Sequence, residues 1–224
     1  MDASLIRQYR KPLIALVALL AAGALAHAIA TRTNLNQAHA LGEQLDSFNG
    51  VAVFHNGGVA HVDGRNTSAD GYNLGLRWQC VEFIKRYYFE RFGHRMPDAF
   101  GHARDFFDPT LIDGAFNARR ALLQFHNGGN TMPAVEDIVV YGPWLLNRFG
   151  HVAIVSRVDA NGIEVIQQNP GPFGPSREWH PLKLVDGRWH VEHGRLLGWL
   201  RRPPQSDPIA GPLAASAAAS VIRD

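Results

Sequence analysis

Halfway along the chain the hydrophobic period changes, and this change limits the fold more than any other feature. Residues 78–92 carry apolar side chains at helical spacing and stop at Gly93, a helix terminator. From residue 137 the apolar residues come instead in short runs bounded by turn residues. Residues 137–141, 150–158, 163–169 and 196–200 each read as a strand. Residues 159–162 read as a hairpin turn with Asn161-Gly162 at its centre. An earlier strand covers 50–54, and shorter helical or irregular pieces cover 102–107 and 117–124. Helices first and antiparallel strands afterwards make an α+β pattern. With 46% hydrophobic residues in 224, the chain has enough apolar material for one ordinary domain.

The ends are different in kind. Residues 1–11 form a basic end with Arg7, Arg10 and Lys11, and 12–30 is an alanine- and leucine-rich apolar run. Its length is about that needed to cross a bilayer, roughly 20 residues. Cations before it keep that side cytoplasmic, which places the following domain in the periplasm, on the outer face of the inner membrane. The run reads as an uncleaved anchor. A cleaved signal peptide is the alternative, because Ala24-Leu25-Ala26 and Ala26-His27-Ala28 suit signal peptidase. Residues 31–47 read as a polar spacer, 48–202 as the domain and 203–224 as a disordered tail. A formal net charge of +2 without a basic stripe excludes a nucleic-acid partner.

Cys80 is the only cysteine, so disulfide scaffolds and cysteine zinc sites are excluded. A lone thiol serves as core filler, intermolecular partner or nucleophile. At a helix start it gains acidity from unpaired N–H groups and the helix dipole. A thiol nucleophile needs a base, and the base an orienting partner. His151 opens a hydrophobic strand, and Gln167 and Asn169 follow by 16 and 18 residues, sharing one strand face. A hairpin return would bring them beside the imidazole. Helix-borne cysteine, strand-borne histidine and an amide on the next strand is the arrangement of papain-like hydrolases. His190 and His193 have no third ligand at metal spacing, and the aspartates 98, 105, 108 and 113 read as solvated loop residues, so no metal or cofactor is expected.

The motifs Trp78-Gln79-Cys80-Val81-Glu82-Phe83, Glu136-Asp137-Ile138-Val139-Val140, Gly150-His151-Val152-Ala153-Ile154-Val155, Gln168-Asn169 and Leu197-Gly198-Trp199 resemble those of the CHAP family, the cysteine, histidine-dependent amidohydrolases/peptidases. The wording is most similar to the amidase domain of glutathionylspermidine synthetase/amidases. The resemblance runs from about Val51 to Trp199. It implies a papain-like CHAP fold with N-terminal helices packed on an antiparallel sheet, here preceded by one hydrophobic helix. It also implies Cys80 as nucleophile, His151 as base and Gln79, with the Cys80 N–H, as oxyanion donor. The family has a glutamate where this chain has Gln167. A glutamine orients the imidazole by accepting its Nδ1–H bond but supplies no charge. Asn169 is expected as a second polar contact.

The expected function is therefore an exported cysteine amidase working through a thioester acyl-enzyme. Peptidoglycan peptide amides are the first choice of substrate because of location. A glutathionyl-polyamine amide and a catalytically silent wall-binding module are the alternatives.

Overall fold

The computed structural model describes residues 3–204 apart from residue 146. Most of the expected C-terminal tail, 205–224, lies outside the described residues. The N-terminal helix α1 (Ala3–Arg32) contains the apolar run, and its segment Tyr9–Arg32 has a mean hydropathy of 2.4 and none of it is buried. At 1.5 Å per residue that segment measures about 36 Å, long enough to cross a membrane.

Residues expected as a spacer are instead built into the domain. Strands β1 (Gln44–Phe48) and β2 (Val51–Phe54) form a hairpin through Asn49-Gly50, whose φ values of 49° and 85° suit the primed turns of tight hairpins. Upstream, Asn34 Oδ1 accepts from His55 Nε2 at 3.1 Å and Asn36 Nδ2 donates to the Pro172 carbonyl at 2.9 Å. The polarity that suggested a solvated spacer is satisfied by protein groups.

A second small hairpin, β3 (Arg65–Thr67) and β4 (Asn73–Leu76), leads into helix α2 (Cys80–Phe92). The helix starts two residues later than its apolar pattern suggests. It ends at Gly93, whose φ of 62° lets its N–H reach the Phe89 carbonyl while His94 N–H reaches Tyr88. A short 3₁₀ turn (Ala103–Phe106) follows. Then come β5 (Ala115–Asn117), β6 (Leu122–His126), β7 (Ile138–Tyr141), β8 (His151–Asp159), β9 (Gly162–Ile166), β10 (Arg177–Val185), β11 (Arg188–Val191) and β12 (Leu196–Arg201). These eight make one antiparallel sheet in the order β11-β10-β9-β8-β7-β12-β6-β5. The α+β class holds, with α2 packed on β2, β4 and β8.

Two local readings change. Residues 117–124, expected as helical or irregular, enter the β5–β6 hairpin, because pairing with β12 and burial of Leu122 and Gln124 outweigh local helix preference. In the β8–β9 hairpin Asp159 pairs with Gly162, so the turn centres on Ala160-Asn161. Gly162 is needed for another reason: a Cβ there would lie 2.5 Å from the His180 carbonyl of β10.

The sheet is buried on both faces, which explains its continuous apolar runs. Ile138, Val140, Val152, Ile154 and Leu200 join Phe83, Ile84, Tyr87 and Phe106 in the core under α2. Their alternate neighbours Val139, Tyr141, Ala153, Val155 and Trp199 form a second core with Leu182 and Val191. That second face is closed because the sheet curls: Trp189 of β11 exchanges backbone hydrogen bonds with Gly128 and Gly129 beyond β6.

Three charged residues of α2, Glu82, Lys85 and Arg86, are buried. Glu82 is fully buried and bonds Arg86 Nε, one helical turn on, at 2.7 Å. The Glu82 carboxylate also accepts from Asn66 Nδ2 at 2.7 Å and Gln168 Nε2 at 2.8 Å. Arg86 reaches the Ala52 carbonyl at 2.9 Å, and Gln168 Oε1 accepts the Phe54 N–H at 2.9 Å. Removing one member leaves a buried charge unpaired. Glu82→Ala is expected to lower stability in urea unfolding by about 3–5 kcal/mol. A loss within the ordinary surface range would show that Arg86 escapes to solvent.

Candidate active site

Cys80 is the first residue of α2 and is buried. The backbone N–H groups of Val152, Val81 and Cys80 itself address its sulfur and favour the thiolate. Burial outweighs them and pushes the thiol up to about 11. The helix-start acidity expected from sequence is thus reversed by loss of water around the sulfur. Val152 directly follows His151, so thiol and imidazole lie at the same end of β8.

His151 Nε2 meets Gln167 Oε1 at 2.9 Å. A glutamine oxygen only accepts, so Nε2 carries the proton and Nδ1 is left with its lone pair. The orienting bond falls on Nε2 and not, as expected, on Nδ1. Burial holds the imidazole down to about 4, with the Gln167 bond and the Glu178 charge opposing it. At neutral pH both members of the pair therefore rest uncharged.

Behind Gln167 stands a residue that sequence reasoning missed. Gln167 Nε2 donates to the Pro175 carbonyl at 3.2 Å and to Glu178 Oε2 at 3.3 Å. Glu178 pairs with Val165 across β9 and β10, which makes it a diagonal neighbour of Gln167 on one face. This arrangement fixes which way the amide points, oxygen toward His151. The carboxylate absent from position 167 is present one hydrogen bond further out. No local pattern could signal this, because β10 itself was not foreseen.

Asn169 does not join Gln167 at the imidazole. Strand β9 ends at Ile166 and Asn169 has a φ of 57°, so strand alternation does not extend to it. Its Nδ2 donates to Gln79 Oε1 at 2.9 Å and to the Val59 carbonyl at 3.0 Å. Gln79 Nε2 in turn donates to the carbonyls of His61 at 2.7 Å and Val59 at 3.3 Å. Both amide protons of Gln79 are engaged, so in this arrangement the side chain braces the 59–61 loop, and the N–H at the start of α2 is the donor left near the thiol. Gln168, seen in sequence only as part of a motif, links the site to the Glu82–Arg86 pair and also donates to the Gln79 carbonyl at 3.1 Å. Its signal was available: neighbours on a strand face opposite ways, so with Gln167 toward the imidazole, Gln168 turns toward α2. Among the described residues no cluster of three or more histidine, cysteine or acidic side chains is placed to hold a metal.

The thiol, seated on the Val152 N–H, and the His151–Gln167 pair thus lie at adjoining elements of an α+β domain. Residues 69–169, which include Cys80, His151, Gln167 and Asn169, match the family model of the CHAP domain. It is 34% identical over 138 residues to a glutathionylspermidine synthase of Crithidia fasciculata, covering 57% of this chain and 19% of that protein. It is 28% identical over 147 residues to the bifunctional glutathionylspermidine synthetase/amidase of Escherichia coli, covering 58% and 23%. A trypanothione synthetase of Crithidia fasciculata is 26% identical over 106 residues, covering 47% and 16%. The chain thus spans less than a quarter of the length of each of these relatives.

The two shifts predict how stability follows pH. His151 is depressed from 6.5 to about 4, so its contribution is full above 6.5 and is lost as pH falls toward 4, where only the unfolded chain is readily protonated. Cys80 is raised from 9.0, so its contribution is full below 9.0 and is lost as pH rises toward 11. Thermal melts across pH should show both limbs, with His151→Gln flattening the acid limb and Cys80→Ala the alkaline one. Iodoacetamide should modify folded Cys80 slowly until the pH approaches 11. Identical acid limbs in wild type and His151→Gln would contradict this account of the imidazole.

Proposed function

We propose that the domain is a cysteine amidase that hydrolyses amide bonds through a thioester. The observation that carries this reading is the His151–Gln167 bond beside a thiol seated on the Val152 N–H, since it leaves Nδ1 of a neutral imidazole free as base. The resting pair is neutral, so proton transfer accompanies attack. His151 Nδ1 takes the Cys80 proton as sulfur bonds the amide carbon, and the oxyanion is met by the Cys80 N–H. The imidazolium then gives the proton to the departing amine as the C–N bond breaks, leaving a thioester. Water, deprotonated by His151, attacks the thioester and releases carboxylate and thiol.

In this scheme Gln167 is the orienter, and Glu178 fixes its amide while lending negative charge to the imidazolium. Peptide amides of the peptidoglycan are the proposed substrate class, with α1 as an anchor holding the domain on the periplasmic side of the inner membrane. A glutathionyl-polyamine amide is a second reading, favoured by the names of the relatives. A silent wall-binding module is a third, favoured by the raised thiol and by glutamine at position 167.

The deciding assay incubates the full chain with muropeptides and with glutathionylspermidine, beside Cys80→Ala. Amine release by wild type alone establishes the amidase and its substrate; no release from either leaves the binding module. If Glu178 acts through Gln167, Glu178→Gln should lower kcat about tenfold and shift the acid limb of the pH–rate profile downward, with KM little changed. Gln167→Glu should restore much of the rate in that background, because it returns the charge to the imidazole. An unshifted pH limb in Glu178→Gln would reduce Glu178 to packing.

A further inference from the structure

The end of α1 is joined to the candidate site by a single loop. The apolar run stops at Ala30, and Thr31 and Arg32 are the first polar residues after it. If α1 crosses hydrocarbon about 30 Å thick, Thr31 lies at the boundary with the head groups. The Thr31 carbonyl accepts the Ala60 N–H at 2.8 Å. A Cβ on Gly58 would lie 2.3 Å from that carbonyl oxygen, so only glycine lets this loop approach the helix end so closely. The same loop presents the Val59 and His61 carbonyls that hold Gln79 and Asn169. The single peptide group between Val59 and Ala60 thus bonds the end of α1 through its N–H and the side chains bracing the start of α2 through its carbonyl.

Four large apolar side chains are exposed around this junction, among polar neighbours such as Arg32, Gln37 and Asp63. Leu35, Val59 and Val62 are 48%, 42% and 45% exposed, and Phe173 is 71% exposed. The Asn36–Pro172 hydrogen bond holds the Phe173 loop beside the residues that leave α1. Left exposed to water such side chains stabilise nothing, whereas at a lipid surface large apolar residues next to a spanning helix sink into the head-group layer. Continuity with α1 makes lipid the occupant of this face.

We propose that this face rests on the membrane surface, with Leu35, Val59, Val62 and Phe173 in the head-group layer, so that the Cys80 site takes amides presented by molecules held in that membrane. The inference rests on α1 spanning the membrane and on the amidase reading, and it narrows the substrate from free polymer or soluble conjugate to amides within reach of the lipid surface.

The test uses the full chain in vesicles of phosphatidylethanolamine and phosphatidylglycerol. In a Cys80→Ser background, a fluorophore is placed at Phe173→Cys and, for comparison, at Phe116→Cys on β5, the far edge strand of the sheet. Brominated lipid is expected to quench the label at 173 several-fold more than that at 116, and Val62→Cys repeats the measurement should Phe173→Cys fail to fold. Equal quenching at the two positions in chains that float with the vesicles overturns the membrane-facing site and leaves the anchor standing. Chains that do not float overturn both the anchor and this inference. Hydrolysis of a soluble amide by unlabelled wild type in detergent reports separately on the amidase reading.

Discussion

The carboxylate of Glu82 is the group on which the arrangement of this domain depends. Fully buried, it is shared by Arg86 of its own helix, Asn66 of β3 and Gln168 beyond β9. Arg86 and Gln168 extend the network to the backbone of β2. Three segments, β2, β3 and the chain just beyond β9, are thereby locked around the first turns of α2. Gln168 also stands between Gln167 and Asn169, so the network determines where the imidazole's partner and the Gln79 brace can lie. A buried ion pair is costly to assemble, and apolar residues of equal volume can be as stable. What the polar version supplies here is direction, since each hydrogen bond admits only one placement of the partner.

That placement produces a site unlike the acidic thiolate that a helix start suggests. The N–H groups at the sulfur are present, yet burial dominates and the thiol is raised, while the imidazole is lowered. A neutral pair does not need the strong counter-charge that a standing thiolate–imidazolium pair would. In that light a glutamine at 167 is less of a loss than charge counting implies: it holds the tautomer, and Glu178 holds the glutamine. The half-exposed position of Glu178 keeps its influence modest, because solvent screens it.

The matches to relatives and the position of α1 pull the substrate question in different directions. The similarity covers the domain and less than a quarter of each related protein, so it speaks for chemistry at the site more than for surroundings. The surroundings are set by residues 31–62, which in this chain form a junction between an apolar helix and the site. An amide carried near a lipid surface satisfies both constraints.

Much of the site was legible in the sequence. Cys80 at a helix start, His151 at a strand start and Gln167 across a hairpin follow from period, turn residues and spacing, because those depend on local backbone geometry. The α+β class and the end of α2 at Gly93 follow for the same reason. The sequence did not disclose that Asn169 turns away to Gln79, that residues 34–48 are part of the domain, that 115–126 is a hairpin, or that Glu178 stands behind Gln167. Each of these depends on strand register, on a left-handed residue or on pairing between segments far apart in the chain. The ionisation of the pair depends on burial, which is a property of everything packed around it. The sequence by itself determined which side chains could do the chemistry; only the tertiary structure decided which nitrogen is oriented, what orients it, and that the thiol begins as a neutral group, because those are set by distances and solvent exclusion that no local pattern encodes.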